Sequence, residues 1–459
     1  MHLVIALVVL RVEGDFMITV LGASFLFVCD ESFCVLRNGA VAYDDGIIVE
    51  VGEYSVLVAK YDVPDMTKFA LDPCFVLDSG GACFYQDSIL LPAFVNAHIH
   101  FEFSANTTSF DYGSFEAWLS SVMTRRDSVL AQNAIESAIA EQLDSGVGSV
   151  GAISSYGGDM RTLAKSPLKV VYFNEVIGAN PDTMKATLLA FKERFLRSKE
   201  LASERFFPAI ALHSPYSVHY ALAQAVLEFA QSFAYQKGVN GTNLCENTCF
   251  VSTHFLESDA ERAWLETKSG WFYEFYKHTL GIVNPKPFYD IAGFMKLFKN
   301  VRGVFVHCTH LNKTESTYLL DSKHSIVTCP RSNRLLGGTM LDIASLDSRI
   351  VQNLGIGSDG ASSNINTNML DELRTALFGM RGELCTLAKI LLLAATCGGA
   401  KALGLNNGEL KAGKAADMAL FTIPNIAHST QPEIHLITLA KQVRQLFING
   451  QRVLNRTNI

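Results

Sequence analysis

The chain has 459 residues, 49% of them hydrophobic and 18% charged, a core-rich globular composition that excludes a disordered or low-complexity protein. The net charge of -7 argues against nucleic acid or an anionic membrane as the main partner and leaves small molecules, nucleosides included, open. Length alone fits two or more domains, or one large barrel with an accessory lobe.

The leader MHLVIALVVLRVEGDF holds an apolar stretch from Leu3 to Leu10, far short of the ~20 residues that cross a bilayer. It has neither a basic first region nor a small-residue cleavage site, so no signal peptide is expected. Met17 offers a second start, which leaves the leader as an upstream extension or an extra edge strand.

Residues 17 to about 90 read as short β segments, with hairpin-type turns expected at Arg37-Asn38-Gly39 and Asp44-Asp45-Gly46. The tail repeats that character in GELKAGKAADMALFTIP and QVRQLFINGQRVLN. A small β-sandwich lobe assembled from residues 1–90 and 401–459 is therefore expected.

Between them, eight apolar runs alternate with helix-like stretches: SILLPAFVNAHIH, VGSVGAIS, KVVYFNEVIG, FFPAIALHSPY, CFVSTHFLES, GVFVHCTH, SIVTCPRSN and NLGIGSDGAS. Strand-helix repetition argues for parallel βα units, and eight of them over residues 91–400 fit an α/β protein with a (β/α)8 TIM-type barrel. A doubly wound open sheet is the alternative, but no Gly-rich dinucleotide fingerprint follows the first run. Two segments are longer than a barrel needs, Ser217 to Asn247 and Asp259 to Arg302. The aromatic residues of the second either roof a pocket for a flat substrate or, the more usual case, pack helices on the barrel.

The ten cysteines are scattered. Those in apolar runs, such as Cys308 and Cys329, read as reduced, buried residues of a cytoplasmic protein. Cys245 and Cys249 lack the second pair that a zinc knuckle requires.

Ionisable groups cluster where the runs end, the place where barrel active sites form. The first run ends in His98-Ile99-His100, and residues two apart in a strand share a face. The fifth ends His254-Phe255-Leu256-Glu257, the sixth carries His307 with His310 beyond it, and the eighth ends Gly357-Ser358-Asp359-Gly360. Three neutral imidazoles and one carboxylate suit a single zinc or ferrous ion with a water in the remaining position. Such an ion lowers the pKa of its water toward ~7.

HIH after the first strand, HFLE after the fifth, VHCTHL after the sixth and SDGASSN after the eighth resemble the amidohydrolase superfamily, in particular its deaminase branch. The resemblance covers nearly the whole chain, since the composite β lobe and the GKAADMALF tail fit the family's ends. It implies metal ligands at His98, His100, His254 and Asp359. It places a proton-shuttling glutamate at Glu257 and a water-orienting histidine at His307, and leaves His310 a bystander. Members with two metals bridge them with a carboxylated lysine at the end of a middle strand. Here the fourth run ends Leu212-His213-Ser214-Pro215, and Lys169 begins the third run at the wrong end, so one divalent ion, Zn or Fe(II), is expected.

The resemblance also implies the reaction. Asp359 takes a proton from the attacking water, Glu257 protonates the ring nitrogen beside the amidine carbon, and Asp359 returns a proton to the departing amine. HSPYSVH, from His213 to His219, resembles the segment that holds the ribose in adenosine-type deaminases, although Ser214-Pro215 also reads as a plain helix start. HFEFS with Glu102, and CPRSNRLLG with Arg331 and Arg334, resemble members acting on 6-amino-6-deoxyfutalosine in menaquinone synthesis. On that footing Glu102 contacts ribose or purine and one arginine pairs with the substrate's benzoate. The competing reading makes the arginines solvated charges and Ser332 and Asn333 loop residues. Deamination of S-adenosylhomocysteine or methylthioadenosine is the alternative, ring-opening hydrolysis a third, and a non-catalytic barrel a distant fourth. A small nucleoside partner, a homodimer, and no nucleic acid or membrane complete the expectation.

Overall fold

The computed structural model describes residues 18–68, 80–105, 110–125, 132–232 and 249–456. The apolar leader, the Met17 start and Cys245 of the CxxxC pair lie outside them.

Eight parallel strands follow the eight apolar runs: β5 (Phe94–Ile99), β6 (Val147–Ser154), β7 (Lys169–Val176), β8 (Phe206–Leu212), β9 (Phe250–Phe255), β10 (Arg302–His307), β11 (Ser325–Thr328) and β12 (Leu354–Ile356). Each pairs with the next in chain order, from β5 to β12. The sheet closes where the amides of Ser358 and Asp359 donate to the carbonyl of His98, at 3.1 and 3.0 Å. Gly357 permits that approach: a Cβ there would sit 2.7 Å from both Cβ and O of His98. Inside, Val95, Ala97, Val171, Phe173, Val304 and Val306 pack into one cluster, plugged from below by Ala400, Ala402 and Leu403. The barrel is thus a filled core whose open end carries the chemistry.

The lobe has strands β1 (Thr19–Phe27), β2 (Val35–Asp44), β3 (Ile47–Glu53), β4 (Gly81–Pro92), β13 (Met418–Thr422), β14 (Gln445–Ile448) and β15 (Gln451–Asn455). Hydrogen bonds join all seven into one mixed sheet, ordered β15-β14-β13-β4-β1-β2-β3, rather than into two separately bonded sheets. Both chain ends contribute to it. The Asp45-Gly46 turn forms between β2 and β3, with φ of 44° and 76°, the double left-handed geometry of tight hairpins. Arg37-Asn38-Gly39 is not a turn. Pairing continues through it, Ala23 with Gly39 and Phe25 with Arg37, while Asn38 adopts a left-handed φ of 51° inside the strand.

Lys169 at the lower end of β7 donates to Asp417 at 2.9 and 2.6 Å, both side chains buried. Asp417 also accepts from Asn407 and from the Asn449 amide. This lysine ties barrel to lobe, far from the site of a bridging ligand. Replacing Lys169 by Met strands a buried carboxylate, and the expected loss is about 3–5 kcal/mol of stability, to be read from urea unfolding. A variant within about 1 kcal/mol of the parent, roughly a fivefold change in the folded-to-unfolded ratio, would refute the role.

Among the described residues, one helical stretch, Leu384–Leu403, is long and apolar enough to cross a membrane, and most of it is buried inside the fold. The described cysteines are all free, and Cys308 and Cys329 are buried, which pushes their thiols up.

Candidate metal centre and active site

Alternation along each strand decides what faces the barrel mouth. On β7, Val171 and Phe173 point into the barrel core, and Glu175 is next on that face. On β8 the inward series is Phe207, Ala209 and Ala211, which continues to His213; on β9 it runs from Phe250 to His254. On β5 simple alternation would turn both histidines away, because Val95 and Ala97 already face inward. A register irregularity between Asn96 and Ile99 shifts the parity, so Ile99 packs outward with the helices and His98 and His100 face in. Bulges that re-aim side chains beside active sites are a common device.

Three other strand ends use left-handed backbone. Leu256 before Glu257 has φ 47°, His307 and Cys308 have φ 69° and 53°, and Asp359 has φ 57°. Each is a non-glycine residue in a sparsely populated region, held there by its surroundings at the point where it aims a functional group.

The groups so aimed converge. His100 Nε2 lies 3.3 Å from His254 Nε2. His98 Nε2 and His100 Nε2 lie 3.7 and 3.6 Å from Asp359 Oδ1. His254 Nδ1 donates to the carbonyl of His213 at 2.8 Å, which leaves its Nε2 with a free lone pair. Neither ring nitrogen of His98 has a hydrogen-bond partner, and Nδ1 of His100 has none. Burial pushes the His98 and His100 imidazoles down to about 4 and about 3, so they are neutral near pH 7. Burial opposes charge on Asp359, yet the neighbouring imidazoles outweigh it and hold that carboxyl well below its usual range. Its Oδ2 accepts from Ser332 and Ser363, both at 2.7 Å, and Oδ1 from the Gly360 amide. Facing lone pairs on buried neutral imidazoles beside an anionic oxygen leave one chemically sensible tenant, a divalent cation. The donor set fits it.

Glu257 and His307 flank this centre, His307 Nε2 lying 3.6 Å from Glu257 Oε1. Burial pushes the Glu257 carboxyl up to about 8, so it is protonated at neutral pH. His307 Nδ1 bonds Asn333 Oδ1 at 2.8 Å, while the Asn333 amide nitrogen donates to Thr328. This network assigns the His307 proton to Nδ1 and leaves Nε2 as an acceptor. His310 pairs with Asp259 at 3.0 Å instead.

A cavity of about 300 Å³ opens above the centre. Trp118, Leu119, Val122 and Met123 form one apolar wall and Phe272, Phe275, Tyr276 and Leu280 another, with Ser155, Glu175, His213 and Ser217 as a polar patch between. The aromatic insertion therefore divides its work: Trp264 is fully buried and stacks on Tyr276 at 5.3 Å, whereas Phe272, Phe275 and Tyr276 reach the cavity.

The other sequence-predicted substrate residues are placed differently. His213 lines the cavity, its Nδ1 2.6 Å from Ser217 Oγ. Glu102 does not line it. That carboxylate accepts from the amides of Ser155, Tyr156 and Gly158 at 2.8, 2.9 and 2.7 Å, anchoring the loop after β6. Arg331 is buried away from the cavity, donating to Glu372 at 2.6 Å and to Asn366 and Asn368. Arg334 is exposed on the same helix, Pro330–Gly337, and among the described residues no arginine or lysine lines the cavity. Ser332 and Asn333 lie within CPRSNRLLG and Ser363 within SDGASSN, whereas Glu175 carries no motif of its own; strand parity on β7 is the sequence signal that reaches it.

Comparison with known proteins agrees with this architecture. The amidohydrolase family model matches residues 89–453. A Helicobacter pylori protein named adenosine deaminase is 39% identical over 441 residues, 95% of this chain and 99% of that one. An aminodeoxyfutalosine deaminase from Nitratiruptor is 39% identical over 371 residues, 80% of this chain and 87% of that one. The crystal structure of Helicobacter pylori aminofutalosine deaminase in complex with methylthio-coformycin superposes with a TM-score of 0.83 at 37% identity, covering 95% of this chain and 100% of that one. With the barrel, the strand-end cluster of His98, His100, His254 and Asp359 and a match over that span in hand, the chain belongs to the amidohydrolase family.

Proposed function

We propose that the chain hydrolytically deaminates an adenosine-type nucleoside, 6-amino-6-deoxyfutalosine in menaquinone synthesis, with one Zn or Fe(II) ion held by His98, His100, His254 and Asp359. The observation that carries the reading is the convergence of those four side chains beside the buried carboxyl of Glu257 at the floor of an apolar cavity. Relatives at 39% identity named for this chemistry support it.

A divalent cation at the four ligands makes water acidic enough to attack at neutral pH. The protein's own groups do the rest. Asp359, anionic, receives a proton from the water, and His307, with Nε2 open, accepts the water's other hydrogen bond and orients it toward the amidine carbon. Glu257 donates its proton to the adjacent ring nitrogen, so negative charge does not build there as the C–O bond forms. Asp359 then hands its proton to the amino group, the C–N bond breaks as the new hydroxyl becomes a carbonyl and its remaining proton returns to Glu257, and ammonia leaves. Apolar walls exclude bulk water and stack the flat base.

One observation favours a second reading of the substrate. Without a cation among the described lining residues, the cavity suits an uncharged 5′ group such as that of methylthioadenosine better than a benzoate. A panel on metal-loaded protein separates the two: 6-amino-6-deoxyfutalosine, S-adenosylhomocysteine, methylthioadenosine, adenosine, guanine and cytosine, followed by ammonia release and loss of adenine absorbance. Preference for the first places the enzyme in menaquinone synthesis. Preference for methylthioadenosine keeps the chemistry and changes the pathway, and no release from any compound overturns the deaminase reading.

A further inference from the structure

We propose that Glu175 is a substrate-binding residue that accepts a hydrogen bond from a ribose hydroxyl. The inference rests on the adenosine-type reading above and deepens it.

Glu175 stands on the inward face of β7, is 3% exposed, and lines the cavity. One oxygen, Oε2, accepts from Ser155 Oγ at 2.5 Å. The other, Oε1, is buried with no hydrogen-bond partner. An ionised carboxylate only accepts, so a missing partner means a missing donor, and a buried acceptor without one is costly.

One neighbouring donor is committed elsewhere. His254 Nδ1 lies 3.8 Å away but gives its proton to the His213 carbonyl at 2.8 Å. A ligand bound in the cavity then supplies the donor. On an adenosine-type substrate the ring nitrogens N1, N3 and N7 are acceptors, and the amino group is at the reacting edge beside Glu257 and Asp359. The donors left are the sugar hydroxyls. Glu175 is reached from the metal centre across His254 and His213, on adjacent strands, which puts the sugar on the β7 side and the reacting edge of the base on the other.

The test is competition by adenosine and by 2′,3′-dideoxyadenosine against whichever panel nucleoside the wild-type holoenzyme deaminates fastest. The wild type is expected to bind the dideoxy compound about 10- to 100-fold more weakly than adenosine, the range for hydrogen bonds to a charged group. In Glu175→Leu the two inhibition constants should become nearly equal, and Glu175→Gln, which keeps a neutral acceptor, should fall between. Metal content, measured on all three proteins, should be the same. Equal discrimination in wild type and both variants overturns the inference and leaves the deaminase reading standing. So does loss of metal from the variants with both ligands weakened alike, since Glu175 would then be acting through His254. Absence of turnover of every panel nucleoside overturns the deaminase reading, and the inference with it.

Discussion

Removing the divalent cation with a chelator is expected to abolish ammonia release and to lower the Tm, both reversed on adding Zn or Fe(II). The structural reason is at the ligands themselves. His98 is buried with two unpartnered ring nitrogens, and the Nε2 atoms of His100 and His254 face each other at 3.3 Å. Each unmet buried polar group costs roughly 1–3 kcal/mol, so the apo fold carries a local penalty that the ion relieves. A ligand present at a thousand times its dissociation constant adds about 4 kcal/mol to stability. His98→Ala should reproduce the loss of activity and of metal without further effect of the chelator. Scanning calorimetry with elemental analysis checks this. Full activity in a demonstrably metal-free sample would sink the ligand assignment.

Replacing Glu257 by Gln is expected to lower kcat by roughly 10²–10⁴-fold, the usual worth of one positioned proton transfer, with metal content unchanged. Gln keeps the shape and can still donate a hydrogen bond, but it has no proton to transfer. The pH profile adds a second readout. Burial raises the Glu257 carboxyl to about 8, so the donor is protonated below that value and is lost as pH rises through it. Wild-type kcat should therefore decline on the alkaline side, and that decline should be missing from the Gln variant. An alkaline limb that survives the substitution would assign it to another group.

The proposed ligand set was legible in the sequence because each part of it is local. Two histidines at strand spacing, a histidine three residues before a glutamate, and an aspartate after an apolar run are short patterns whose chemistry does not depend on what packs beside them. The eight runs, most of them ending in polar residues, were likewise enough for the barrel, since strand length and alternation with helices are properties of the chain itself. Even there, parity on β5 needed a bulge that no residue in VNAHIH announces.

What the tertiary structure alone decided is which charged groups are already spoken for. Glu102, two residues past His100, looks like a substrate ligand in the string, but three amides of the loop after β6 converge on it. Arg331 is taken by Glu372 from the helix Met369–Gly379. Glu175, in a run without a motif, keeps an open oxygen at the cavity. A buried charge pairs with whatever donor or acceptor the fold brings within about 3 Å, and that partner is chosen through space from distant segments. Residue type and spacing determine what a side chain is able to do here; packing determines whether it is still free to do it.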